Sequence, residues 1–118
     1  MNTGIHTLQG EIERALPREL LRKRDLSFGD MVLVRTRNSV YSICVLGNDL
    51  YLVFGGWFDR KGLSPQTVKI NGCTWGGSAI KQDIVAARGL FLEFENRVVT
   101  TRIQDFKVIR RAPQQYQN

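Results

Sequence analysis

Histidine is nearly missing from this chain, which holds one, His6, in 118 residues. A single imidazole near the start removes most Ser-His and Cys-His nucleophile arrangements. With two cysteines beside it, the chain is short of ligands for an ordinary zinc site. Those cysteines, Cys44 and Cys73, lie inside apolar or small-residue runs rather than in a C-x-x-C. Buried free thiols of a cytosolic protein fit that setting, with a disulfide between the two as the alternative. No apolar run approaches the roughly 18 residues that a spanning helix needs. Met1-Asn2-Thr3-Gly4-Ile5-His6 lacks the charged start and apolar stretch of a signal peptide, so the expected location is the cytoplasm. No G-x-x-x-x-G-K-[ST] and no G-x-G-x-x-G is present. Glu93 and Glu95 fall on the wet face of an expected strand, and Asp25, Asp30, Asp49 and Asp59 fall near turns. Solvated or turn-capping roles suit these carboxylates better than catalysis. The reading is therefore a non-enzyme with no cofactor and no metal.

What the chain does have is positive charge. Lys and Arg number 17 against 11 Asp and Glu, a formal net charge of +6, with a pI near 9.8. An anionic partner follows as one expectation, either nucleic acid or a phosphorylated small molecule. Because the charge is spread along the chain rather than blocked, simple solubility is the competing explanation.

Residues 7–24 read as helical. Leu8, Ile12, Leu16 and Leu20 recur every four residues and form one apolar stripe, with Glu11 and Glu13 early and Arg22, Lys23 and Arg24 late. Pro17 kinks that helix or opens a second one. From Leu26 the pattern turns to β. Met31–Thr36, Val40–Leu46 and Leu50–Phe54 read as an antiparallel meander, joined by Arg37-Asn38-Ser39 and Gly47-Asn48-Asp49. Residues 55–66 read as loop, Thr67–Ile70 as a short strand, and Asn71-Gly72 and Gly76-Gly77-Ser78 as breaks. Ala79–Ala86 fits strand or helix equally. Leu90–Glu95 alternates cleanly, Asn96-Arg97 turns the chain, and Val98–Arg102 and Phe106–Ile109 complete the set. The expected architecture is mainly β: a small antiparallel barrel or compact sandwich with an N-terminal helix. Its parts are a helical arm over 1–25, a β domain over 26–110 and a flexible tail over 111–118.

Four constellations carry chemistry. Arg35 and Arg37 project from one face of an alternating strand, and Asn38 and Ser39 add donors at the turn. That is an anion contact, or else an exposed hairpin tip paired with Glu93, Glu95 or Asp105. Gly76, Gly77 and Ser78, followed by Lys81, form either an anion nest beside a stacking Trp75 or a glycine bulge with Trp75 in the core. Gly55–Gly62 sets Trp57 and Phe58 beside basic residues, as a nucleic-acid platform or as a plug in the core. The tract Arg18–Arg24 lies along phosphates or forms the wet face of the helix. The candidate ligand-binding set is Arg35, Arg37, Asn38, Ser39, Gly76, Gly77, Ser78 and Lys81. The alternative function is a protein-interaction or structural module that meets a partner or a second copy through a sheet edge or the helical arm.

Those same segments carry a resemblance. From about Phe28 to Val108 the chain resembles a family of small, uncharacterised bacterial proteins. The shared pattern is Gly29-Asp30, Val34-Arg35-Thr36-Arg37-Asn38-Ser39-Val40-Tyr41, Gly76-Gly77-Ser78 with Lys81, and Thr100-Thr101. The resemblance implies a bacterial or phage origin and a compact β domain, and it brings no activity with it. The chain is also similar in part to PilZ domains, which bind cyclic dinucleotides through R-x-x-x-R and [DN]-x-S-x-x-G. Arg18-Glu19-Leu20-Leu21-Arg22 matches the first element. Asn71-Gly72-Cys73-Thr74-Trp75-Gly76 matches the second except that Cys73 stands where the serine belongs. That likeness implies a cyclic-dinucleotide ligand as a further alternative.

Overall fold

The computed structural model describes residues 19–77 and 79–111. Ten strands follow one another: β1 (Leu20–Arg22), β2 (Met31–Thr36), β3 (Val40–Gly47), β4 (Leu50–Gly55), β5 (Gln66–Val68), β6 (Ile70–Thr74), β7 (Ile80–Lys81), β8 (Ile84–Ala87), β9 (Phe91–Phe94) and β10 (Val99–Ile109). A 3-10 turn at Lys23–Asp25 follows β1, and a short helix α1 (Gly56–Arg60) follows β4. The fold is mainly β, with every strand pair antiparallel.

Eight strands form one sheet in the order β5-β4-β3-β2-β10-β9-β6-β7, and β1 pairs with β8 in a second. Alternation decides which side is dry. Val32, Val34, Ile43, Val53, Leu92 and Phe94 are wholly buried on the inner face. The sheet curls around them. Tyr41 on β3 and Phe94 on β9 lie three strand positions apart, about 14 Å in a flat sheet, yet their ring centroids are 5.9 Å apart. Phe58 drops from α1 against both rings, edge-on at 6.3 Å and 5.1 Å. This requires α1 to begin directly on β3, which two glycines permit. Gly55 and Gly56 have φ of +98° and +50°, and a Cβ would drive Gly55 into the Val40 carbonyl and Gly56 into the Tyr41 ring.

Several expectations are corrected. The sheets are not closed into a barrel: the ladder ends at β5 and β7. Gln66–Val68 pairs with β4, and after Lys69 the chain turns away, so that Ile70–Thr74 pairs with β9. Lys69 and Glu95 bond at that handover, but the three residues of β5 are too few to carry the ladder around. The helix expected over 7–24 is not seen where the chain is described. Leu20–Arg22 is a strand because its backbone pairs with Ala87, Ala86 and Ile84, and the small alanines let it approach closely. Residues 7–18, with Pro17, lie outside the described part, as do 112–118 of the expected tail. The expected loop over 55–66 contains α1. Asn71-Gly72 is strand rather than turn: Gly72, at φ +138°, lets the β6 backbone pass against that of Lys81 and Gln82. The strands expected at Val98–Arg102 and Phe106–Ile109 are one strand, β10, which starts at Val99 and is bent by a register shift between Ile103 and Asp105.

Candidate functional site

The turn between β2 and β3 is built by Thr36, whose N–H donates to the Ser39 carbonyl at 2.8 Å. With Val34 and Thr36 buried, Arg35 and Arg37 project outward on either side of Thr36. The Arg37 N–H donates to Thr101 Oγ1 at 3.3 Å, tying the corner to β10. Arg35 Nη1 donates to Gln104 Oε1 at 2.6 Å. From the far side Arg60, at the end of α1, donates to Ser39 Oγ at 3.1 Å. Asn38 is exposed at the tip.

Arg35, Arg37 and Arg60 thus border one corner, and the carboxylates of Asp59 and Asp105 there each accept a hydrogen bond from another group. Asp59 accepts from the Gly55 N–H at 3.0 Å. Asp105 stands opposite Arg35 in the ladder but accepts from Arg88 at 2.9 Å. The Arg88 hydrogen bond, then the Phe106 N–H, then the charges of Arg88 and Arg35 hold the Asp105 carboxyl below its ordinary range. Among the described residues the ion pairs join Arg22 to Asp83, Lys23 to Asp49, Arg88 to Glu19 and Asp105, and Arg110 to Asp30. Arg35, Arg37, Arg60 and Arg102 take part in none of them.

Next to Thr101, Arg102 lies 4.7 Å over the Phe91 ring, and its Nη1 donates to the Gly89 carbonyl at 2.7 Å. Gly76, two residues beyond β6, lies near the same ring: an added Cβ would sit 3.7 Å from it. The Gly76 N–H is occupied, donating to Thr74 Oγ1 at 3.0 Å. Gly77 is exposed, Lys81 is half-buried opposite Cys73, and Trp75 is half-buried against the core. Ser78 lies outside the described residues. The two candidate groups share one end of the sheet. They sit three strand spacings apart, about 14 Å along its surface, and among the described residues no hydrogen bond or ion pair joins them.

Arg60 and Arg102 were absent from the expected set. The basic loop that holds Arg60 was singled out, but its bond to Ser39 spans 21 positions, and no local pattern announces it. Phe58, in the same loop, is the core plug, and Trp57 packs partly against the core.

Lys23, away from the corner, is closed within the fold. Hollows of about 310 Å³ and 410 Å³ share Lys23 and Asp49 in their walls. Lys23 donates there to the Ile70 carbonyl at 2.7 Å and pairs with Asp49 at 3.2 Å. Burial, with the Asp49 charge, pushes the Tyr51 phenol up to about 12. Burial pushes the Cys73 thiol up to about 12, so it stays protonated at neutral pH. Both cysteines are free. Among the described residues no three His, Cys, Asp or Glu side chains group as a metal site, and no helix is long and apolar enough to cross a membrane. A scan against protein-family models, a search of curated proteins and a search of solved structures each return no match.

Proposed function

We propose that the protein is a non-enzymatic binding module whose β2–β3 corner takes a phosphate-bearing partner, with a nucleic-acid strand as the first choice. One observation carries the reading. Arg35, Arg37 and Arg60 border one corner, and none forms an ion pair among the described residues; Asp105, whose carboxyl feels the Arg35 charge, is itself paired with Arg88. Like charges gathered in this way gain most from an external anion, and guanidinium forks suit phosphate oxygens. Arg102, pinned over Phe91, extends the positive surface along β10 in the direction a strand of phosphates would follow. The cyclic-dinucleotide reading has less support, because Arg22 is engaged by Asp83 and Cys73 is buried.

Labelled single- and double-stranded oligonucleotides titrated at low and moderate salt test this. Binding is expected to weaken steeply with salt. Arg37→Ala and Arg60→Ala are each expected to lower affinity roughly tenfold and to flatten the salt slope by about 1. Absence of binding at low salt, or unchanged affinity in both variants, overturns the reading.

A further inference from the structure

The outer face of the curled sheet is apolar where a wet face is expected. One cross-strand row runs Leu52, Cys44, Met31, Ile109, from β4 through β3 and β2 to β10. The next row places Phe54, Ser42, Leu33 and Lys107 side by side. Val40, Ile109 and Phe54 are 50%, 44% and 36% exposed. Isolated exposed apolar residues are ordinary, but contiguous ones across four strands mark a docking surface. The four strands are about 14 Å across, wide enough for one helix of roughly 10 Å diameter.

The place where the described chain begins points to the occupant. Glu19 pairs with Arg88 at 3.5 Å, and Arg88 holds Asp105 at 2.9 Å. Asp105 lines a hollow of about 230 Å³ with Leu33, Arg35, Val40, Phe106 and Lys107, at the margin of the apolar face. Glu19 thus lies near the margin of that face, and residues 1–18 precede it in the chain. They carry Leu8, Ile12 and Leu16 at a spacing of four, and in a helix that stripe is about 12 Å long. Glu11 and Glu13 flank Ile12, and the face carries Arg35 and Lys107, with its one carboxylate, Asp105, already engaged by Arg88.

We infer that residues 1–18 dock on the outer face of β4-β3-β2-β10 through Leu8, Ile12 and Leu16, as an intramolecular partner of the helix-on-sheet kind. The inference does not rest on the phosphate reading, although both use Arg35: Cys44 reactivity tests the one and oligonucleotide binding the other. Cys44 lies under the proposed contact and reports on it, while Cys73 is wholly buried. In the full chain, reaction of Cys44 with a disulfide reagent is expected to be slow and independent of protein concentration. Ile12→Ser combined with Leu16→Ser is expected to speed it at least tenfold. Equal rates in the two proteins overturn the inference. So does protection of the full chain that grows with protein concentration, because the occupant is then a second copy. In Ile12→Cys, mild oxidation is expected to give an intrachain link to Cys44. An interchain link, or none, overturns the proposal.

Discussion

The two ends of strand β2 handle arginine in opposite ways. At its start Asp30, 3% exposed, accepts from the Ser27 N–H at 2.9 Å, the Arg111 N–H at 3.1 Å and Arg110 Nη1 at 2.8 Å. Arg110 also reaches the Asp25 carbonyl at 2.7 Å. One buried carboxylate thereby fastens the end of β10 to the beginning of β2. At the other end, Arg35 and Arg37 stand outward and Arg60 reaches Ser39 between them and α1, and among the described residues none of the three forms an ion pair. The same residue type is a clasp at one end and an unanswered charge at the other. The difference lies in where the nearest carboxylate points. Asp30 turns into the fold, whereas Asp105 and Asp59 are spent on Arg88 and Gly55. The closed charge contributes to stability, and the open charge is what the proposed binding rests on.

The largest test removes the support of the open end. Phe58 holds α1 against Tyr41 and Phe94, and α1 delivers Arg60 to Ser39. Phe58→Ala is expected to cost about 3–5 kcal/mol in denaturant unfolding. The protein that remains folded should also lose oligonucleotide affinity, because Arg60 is no longer held. At the closed end Asp30→Asn is expected to cost about 1–3 kcal/mol, since one amide cannot accept as the carboxylate does from three donors. Its affinity for oligonucleotides should be unchanged. A fall in affinity matching that of Arg37→Ala would erase the distinction between the ends.

Acid sharpens the same contrast. The Ser27 and Arg111 N–H groups, aided by Arg110 and opposed by burial, hold the Asp30 carboxyl below its ordinary value. Its stabilisation is complete above the unfolded-chain value of about 3.9. It is lost as the pH falls from there through the depressed folded value, because only the unfolded chain takes up the proton at first. Thermal melts of the wild type should therefore drop more steeply below about pH 4 than those of Asp30→Asn. Parallel curves would remove Asp30 from the acid response.

The hairpins were legible because their signals are local. Val32 and Val34 alternate with half-buried Met31 and Leu33 and exposed Arg35, and Asn48 and Asp49 take the positive φ values, 54° and 63°, that their turn requires. Arg35, Arg37 and Ser39 were legible as a cluster for the same reason. What failed depends on distant partners. Leu20 and Leu21 fit a helical stripe, and only the ladder to Ala86 and Ala87 makes them strand. Asn71-Gly72 has turn chemistry, but the glycine is there for the approach of Lys81. Closure into a barrel depends on the pairing beyond Lys69, which no periodicity encodes. Arg102 over Phe91 is a cross-strand contact, visible only once β9 and β10 are in register.

The smallest expected effect on stability is at Arg37, and its smallness makes it informative. The Arg37 side chain is exposed and makes no hydrogen bond or ion pair among the described residues, and its N–H to Thr101 survives any side-chain change. Arg37→Ala should leave the unfolding free energy within about 0.5 kcal/mol. An increase is as reasonable as a loss, because removing one cation from a corner that also holds Arg35 and Arg60 relieves repulsion. Measured in low and in high salt, that relief should shrink as screening grows. A clear loss of stability instead would mean that Arg37 has a partner within the fold. The corner would then be a second clasp, and the contrast between the two ends of β2 would fall with it.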